Sequence, residues 1–155
     1  MKNRRTLLQA GAAAGLALLM PRAVLAQPAK SLHVLKSATC GCCKAWSETM
    51  RQAGYTVTEE DLPQEDLDAA KLKAGLKPDQ VSCHTGMIEG YVVEGHVPAR
   101  EVDRLLVDKP EALGLAVPGM PFGSPGMGEA GADAEPYDVL LVKRDGSTEV
   151  YASYR

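Results

Sequence analysis

The sequence predicts an α/β domain, and three observations carry that prediction. A short apolar run around Leu32–Leu35 leads straight into a cysteine-bearing turn and then into residues at helical spacing. A second strand and helix follow, which makes the opening of a βαβ unit. Near the C-terminus, Asp145-Gly146 between two apolar runs marks a β-hairpin.

Taken in order, Ser31-Leu32-His33-Val34-Leu35-Lys36 has the length and β-branched content of a buried strand. Cys40-Gly41-Cys42-Cys43 opens a helix in which Trp46, Met50 and Ala53 recur at helical spacing and Gly54 supplies the stop. Trp46 is expected to pack this helix on the sheet. Tyr55–Glu59 alternates as a second strand, with the acidic run Glu59–Asp61 as its solvated end. A helix is predicted from Pro63 to Ala74, closed by Gly75. Gly86–Val93 reads as one or two strands broken at Gly90, and Pro98 begins a helix through Val107 with Val102, Leu105 and Leu106 inward. The Gly/Pro/Met-rich stretch from Gly114 to Gly128 is expected to be a functional loop rather than a regular element. Tyr137–Lys143 and Thr148–Tyr151 form the final hairpin.

The chain has 155 residues, 45% hydrophobic and 24% charged, with a net charge of −3. That is ordinary globular composition, and it lacks the basic footprint of a nucleic-acid binder. Residues 1–26 have the order of an export signal: Arg4-Arg5, an apolar run from Ala10 to Met20, then small residues Val24 and Ala26 before a cut after Ala26. The arginine pair resembles a twin-arginine signal, although Leu7 stands where Phe is common; a plain Sec signal is the alternative. The apolar run is shorter than the ~20 residues of a spanning helix, so no stable membrane insertion is expected after cleavage. Losing Lys2, Arg4, Arg5 and Arg22 and no acid leaves one domain, residues 27–155, with a net charge of −7. Such a domain would work in the periplasm, where unprotected cysteine pairs oxidise.

Three of the four cysteines lie at Cys40, Cys42 and Cys43, at the positive end of a helix, where both redox and metal chemistry profit from thiolate character. Cys40 and Cys43 satisfy the Cys-x-x-Cys spacing of a dithiol oxidoreductase, in which Cys42 is superfluous. Three thiolates on one turn suit a thiophilic ion such as Cu(I). Adjacent Cys42 and Cys43 close on one ion only with strain, which favours a small polynuclear copper site over tetrahedral zinc. Cys83 is expected to complete the cluster, with His84 as a ligand or as a hydrogen-bond partner of one. Met120 and Met127 offer thioether sulfur from the loop, with core packing as the alternative for each. His33 is read as packing, and His96 as a solvated turn residue that could also approach the site.

Several blocks together resemble the CopG-type copper-resistance family, distinct from the plasmid repressors of the same name. They are Cys40-Gly41-Cys42-Cys43 with Trp46, Ser82-Cys83-His84-Thr85, Glu89–Ala99, and Gly114–Pro121 with Gly123–Met127. The chain departs from the family pattern at Gly128, which separates Met127 from Glu129. The resemblance implies a thioredoxin-like fold with a central mixed sheet flanked by helices, and copper on Cys40, Cys42 and Cys43 with Cys83 nearby. It also suggests a cis-proline ahead of the final hairpin, with Pro118 the candidate and Pro98 the rival. The expected function is periplasmic Cu(I) binding that contributes to copper resistance, alongside other copper-handling proteins of that compartment, with interconversion of Cu(I) and Cu(II) as its redox extension. Loss of the metal is expected to leave a Cys40–Cys43 disulfide. The alternatives are a thiol:disulfide oxidoreductase using Cys40 and Cys43, and a copper metallochaperone.

Overall fold

The structure is a computed structural model that describes residues 30–129 and 131–155; the segment read as an export signal, residues 1–26, lies outside the described residues. The described residues form β1 (Lys30–Lys36), α1 (Gly41–Gln52), β2 (Tyr55–Asp61), α2 (Gln64–Ala74), β3 (His84–Ile88), β4 (Tyr91–Gly95), α3 (Ala99–Asp108), β5 (Gly114–Val117), β6 (Tyr137–Val142) and β7 (Thr148–Tyr154). One mixed sheet runs β2-β1-β3-β4-β5-β6-β7. The pairs β1/β2 and β4/β5 are parallel and the other neighbours antiparallel. From β1 to α3 this is the expected thioredoxin-like arrangement, and β5–β7 extend the sheet beyond β4.

Helix α1 forms where the sequence placed it. Cys40 caps it, its Sγ accepting from the Cys43 amide at 3.3 Å, and Cys43, Trp46, Ser47 and Met50 make one buried stripe. Side chains alternate across β3, so α1 and α2 are assigned to opposite faces of the sheet. Trp46 of α1 lies against His84 and Gly86, whereas Lys71 of α2 reaches Thr85 and, on β4, Glu94. Trp46 and Met50 share their core with Val102 and Leu105 of α3. The Trp46 Nε1 also donates to the Val97 carbonyl at 2.8 Å, which ties α1 to the segment after β4.

The hairpin β3–β4 turns at Glu89-Gly90, both with positive φ, as a two-residue turn of the primed type requires. The expected break at Gly90 is therefore present, but β3 begins two residues earlier than read and takes in His84. Gly114–Val117, expected as loop, is a buried strand in parallel register with Val92–Gly95. The four-residue run is too short for its periodicity to be read, and Gly114 fits because a Cβ there would overlap the Val92 carbonyl. Strand β7 reaches Tyr154 rather than Tyr151, with an irregularity in its pairing at Val139/Leu140.

Two further expectations are corrected. No peptide bond among the described residues is cis, Pro118 and Pro98 included. In this fold the hairpin that follows the βαβα opening is β3–β4, and the residue ahead of it, facing the cysteine turn, is Cys83. His33 does not pack into the core, because alternation turns it to the face opposite Leu32 and Val34, where it is half-exposed and meets Thr58 Oγ1 at 3.1 Å and Glu60 at 3.2 Å on the neighbouring edge strand β2. The acidic end of β2 is exposed as expected. Trp46→Ala would remove the largest buried side chain and its bond to Val97, and is expected to cost about 3–5 kcal/mol in denaturant-unfolding free energy.

Candidate metal centre

Four segments meet at one end of the sheet. The β1/β3 pairing ends at Lys36↔His84 and the β4/β5 pairing at Gly95↔Val117. The chain therefore leaves β1, β4 and β5, and enters β3, at the same edge. Cys40–Cys43, Cys83, His96 and the 118–129 loop are all drawn from these connections.

Cys40 and Cys43 form a disulfide across the first turn of α1, with Cα atoms 5.4 Å apart. Cys42 and Cys83 are free and half-buried. Cys42 Sγ lies 3.5 Å from Cys40 Sγ and 3.6 Å from Cys83 Sγ, and all four sulfurs fall within 4.8 Å of one another. The fourth cysteine thus joins the first three across about forty residues of chain. A second group shares it: His84 Nδ1 is 3.3 Å and His96 Nε2 3.2 Å from Cys83 Sγ.

His96 is the residue the sequence reading misplaced. It is fully buried rather than solvated. Gly95, at φ +71°, turns the chain over the sheet end, Val97 enters the core, and Ser124 from the loop covers the ring. The available signal was its position directly after a buried strand that pairs with the Cys83 strand. Ser124 Oγ donates to the Pro121 carbonyl at 2.6 Å, so toward His96 Nδ1, at 3.4 Å, it accepts. That places the ring proton on Nδ1 and aims the Nε2 lone pair at Cys83.

Burial holds His96 down at about 4. It holds His84 well below the usual imidazole range, with His96 and Lys71 adding to the effect. Cys83 is pushed up to about 12, first by burial and then by neighbouring Cys42. At neutral pH the group therefore holds two neutral imidazoles around one protonated thiol, whose single proton satisfies one of them. His84 Nε2 is buried without a hydrogen-bond partner, as is Ser47 Oγ, among the described residues. The thiols and imidazoles gathered here form a donor set that fits a soft or borderline cation.

The loop after β5 lies on both halves of this group. The Gly119 amide donates to Val81 at 3.3 Å, and Ser82 Oγ donates to the Gly119 carbonyl. Gly126, at φ +87°, approaches α1 so closely that a Cβ would sit 2.7 Å from the Trp46 nitrogen and 2.9 Å from the Cys42 carbonyl. Met120 follows Gly119 and is exposed, and Met127 follows Gly126 and is half-buried. The loop thus carries both thioethers on segments that touch the cysteine groups, while the gathered thiol and imidazole atoms are those of Cys40, Cys42, Cys43, Cys83, His84 and His96. The inserted Gly128 takes a positive φ of +94° against the Phe122 ring.

Residues 80–127, which contain Cys83, His84, His96, Met120 and Met127, match the family described as "Protein of unknown function, DUF411". Two solved structures, titled copper resistance protein CopG form 1 and form 2, are each 40% identical to the chain. Form 1 has a TM-score of 0.76 and is matched over 82% of this chain and 98% of its own. Form 2 has a TM-score of 0.75, with 83% and 100% covered. The chain belongs to the CopG copper-resistance family. No curated protein gives a significant match. The CopG likeness spans nearly the whole described domain, so it includes β5–β7 and the loop as well as the thioredoxin-like part. No described helix is long and apolar enough to cross a membrane.

The buried histidines make stability depend on pH. Their folded pKa values lie below the unfolded value near 6.5, so the stability they contribute is present above pH 6.5 and lost as pH falls through about 4. For the metal-free, disulfide-bonded chain, lowering pH from 7 to 4 is expected to cost on the order of 2 kcal/mol through His96, roughly 5–10 °C in Tm. Thermal melts of His96→Asn should show a shallower fall; an equal fall would assign the loss to other groups.

Proposed function

We propose that this domain holds Cu(I) in the periplasm as a small polynuclear cluster and so contributes to copper resistance. The observation that carries this is a set of six nitrogen and sulfur donors in two groups that share Cys83. One four-coordinate ion leaves donors unused, whereas a bridging Cys83 lets the thiol group and the imidazole group each serve an ion. Thiolate-rich sites select Cu(I) over harder cations, and the CopG relatives carry copper resistance in their titles. On this reading Cys40, Cys42, Cys43 and Cys83 are the thiolate ligands, His84 and His96 the nitrogen ligands, and Met120 and Met127 further thioether ligands from the loop. Residues 1–26 would be the export signal, removed before the domain works, and other copper-handling proteins of that compartment would be its partners.

The Cys40–Cys43 disulfide adds a redox dimension. Two thiolates reduce two Cu(II) to two Cu(I) and become one disulfide; in reverse, two electrons from two Cu(I) reopen it. Interconversion of Cu(I) and Cu(II) follows from that balance. A thiol:disulfide oxidoreductase using the same pair is the second reading, supported by a disulfide at a helix N-terminus of a thioredoxin-like fold.

Anaerobic titration of the reduced chain from residue 27 with Cu(I), with bound metal and free thiols counted together, separates the two. The expected result is more than one Cu(I) per chain and protection of all four thiols. Cys42→Ser and Cys83→Ser should each lower the stoichiometry by about one ion or weaken binding at least tenfold. A chain that takes no copper but cycles its Cys40–Cys43 disulfide reversibly, with both Ser variants fully active, would replace the copper reading with the oxidoreductase one.

A further inference from the structure

Behind the metal centre, on the α2 face of the sheet, is a buried polar cluster that the copper ligands do not include. Lys71, Thr85 and Glu94 are each at most 2% exposed. Lys71 Nζ meets Glu94 Oε1 at 2.6 Å and Thr85 Oγ1 at 3.0 Å. Glu94 Oε1 also accepts the Ser82 amide at 2.6 Å, and Glu94 Oε2 accepts the Thr85 hydroxyl at 2.6 Å. One carboxylate therefore grips residues 82 and 85, and the only residues between them are Cys83 and His84.

We infer that Glu94, paired with Lys71, is a positioning residue that holds the Cys83–His84 dipeptide against Cys42 and His96. Three features point this way. The Ser82 amide belongs to the connection ahead of β3, so the sheet ladder does not hold it, and the Glu94 carboxylate does. Gly95 follows Glu94 and leaves room for Ser82, since a Cβ at Gly95 would lie 2.6 Å from Ser82 Cβ. Lys71 comes from α2, so the grip ties the Cys83 connection to a helix on the far side of the sheet from α1. The role of Glu94 in metal binding rests on the copper reading above; its hold on Cys83 geometry does not. Removing outer partners that orient metal ligands typically weakens binding about 10–100-fold.

A buried ion pair also contributes to folding, so the test uses variants expected to fold. Replacing both charges together avoids stranding one of them, and paired neutral or apolar replacements are well tolerated. Lys71→Met with Glu94→Gln keeps an amide oxygen for Ser82; Lys71→Met with Glu94→Leu removes the acceptor while keeping the bulk. Circular dichroism confirms the fold of each. In the metal-free, Cys40–Cys43-bonded chain, diamide oxidation of Cys42 and Cys83 to a disulfide, mapped by mass spectrometry, reports their proximity.

The Gln pair is expected within about threefold of wild type, and the Leu pair at least tenfold slower. Cu(I) affinity by chelator competition should fall in the same order. In a background lacking both held ligands, Cys83→Ser with His84→Asn, the two pairs should bind copper alike. A Leu pair that crosslinks at the wild-type rate would overturn the inference, and so would a Gln pair as slow as the Leu pair. If the wild-type chain binds no copper, the crosslinking comparison still decides the positioning role on its own.

Discussion

The antiparallel register of β1 with β3 is the constraint on which the site depends. Its last pair, Lys36↔His84, sets the residues leaving β1 beside those entering β3. Only four residues separate that point from Gly41, where α1 begins, so Cys40–Cys43 cannot be far from Cys83. The parallel β4/β5 pair adds its carboxyl ends at the same edge, delivering His96 and the loop that carries Met120 and Met127. A slip of one residue in any of these ladders would reverse the faces of the strands and separate the gathered donor side chains. The buried apolar faces of Leu32, Val34, Ile88 and Val93 oppose such a slip.

Much of this was legible because it is local. The Cys40 turn, the apolar stripe of α1, the Gly90 break and the Asp145-Gly146 turn each declare themselves within a few residues. Cys83 could be linked to the turn by chemistry, since an unpaired thiol in a chain read as exported calls for a partner. What could not be read were properties created by tertiary packing. His96 reads as a polar turn residue until Ser124 is laid over it, and Gly114–Val117 reads as loop until β4 supplies a parallel neighbour. The pairing of Lys71 with Glu94 joins residues of opposite charge that each look like ordinary surface positions. The expected cis-proline failed for a topological reason: the hairpin that faces the cysteine turn is β3–β4, and Cys83 occupies the position ahead of it.

Electrostatics at the site run against charge before metal arrives. Burial keeps both imidazoles neutral and the Cys83 thiol protonated, so these three donors carry little charge. On the proposed reading, a cation entering such a pocket would displace the Cys83 proton and find neutral nitrogen lone pairs already in place, which would make uptake and proton release one event. The raised pKa also protects Cys83 from adventitious oxidation, because the thiolate is the reactive form.

On the proposed reading, the disulfide would act on ligand number as well as on electrons. With Cys40 and Cys43 joined, the thiols left free are Cys42 and Cys83, 3.6 Å apart and flanked by the two imidazoles. Reduction by two electrons adds two more thiolates to the same pocket without moving α1, since Cys40 caps the helix from a position that the Cys43 amide fixes. On the proposed reading, the number of Cu(I) ions the domain can hold is therefore set by its own oxidation state. A copper-loaded chain would be reduced and an oxidised chain copper-poor, so binding and redox are two descriptions of one equilibrium rather than separate activities.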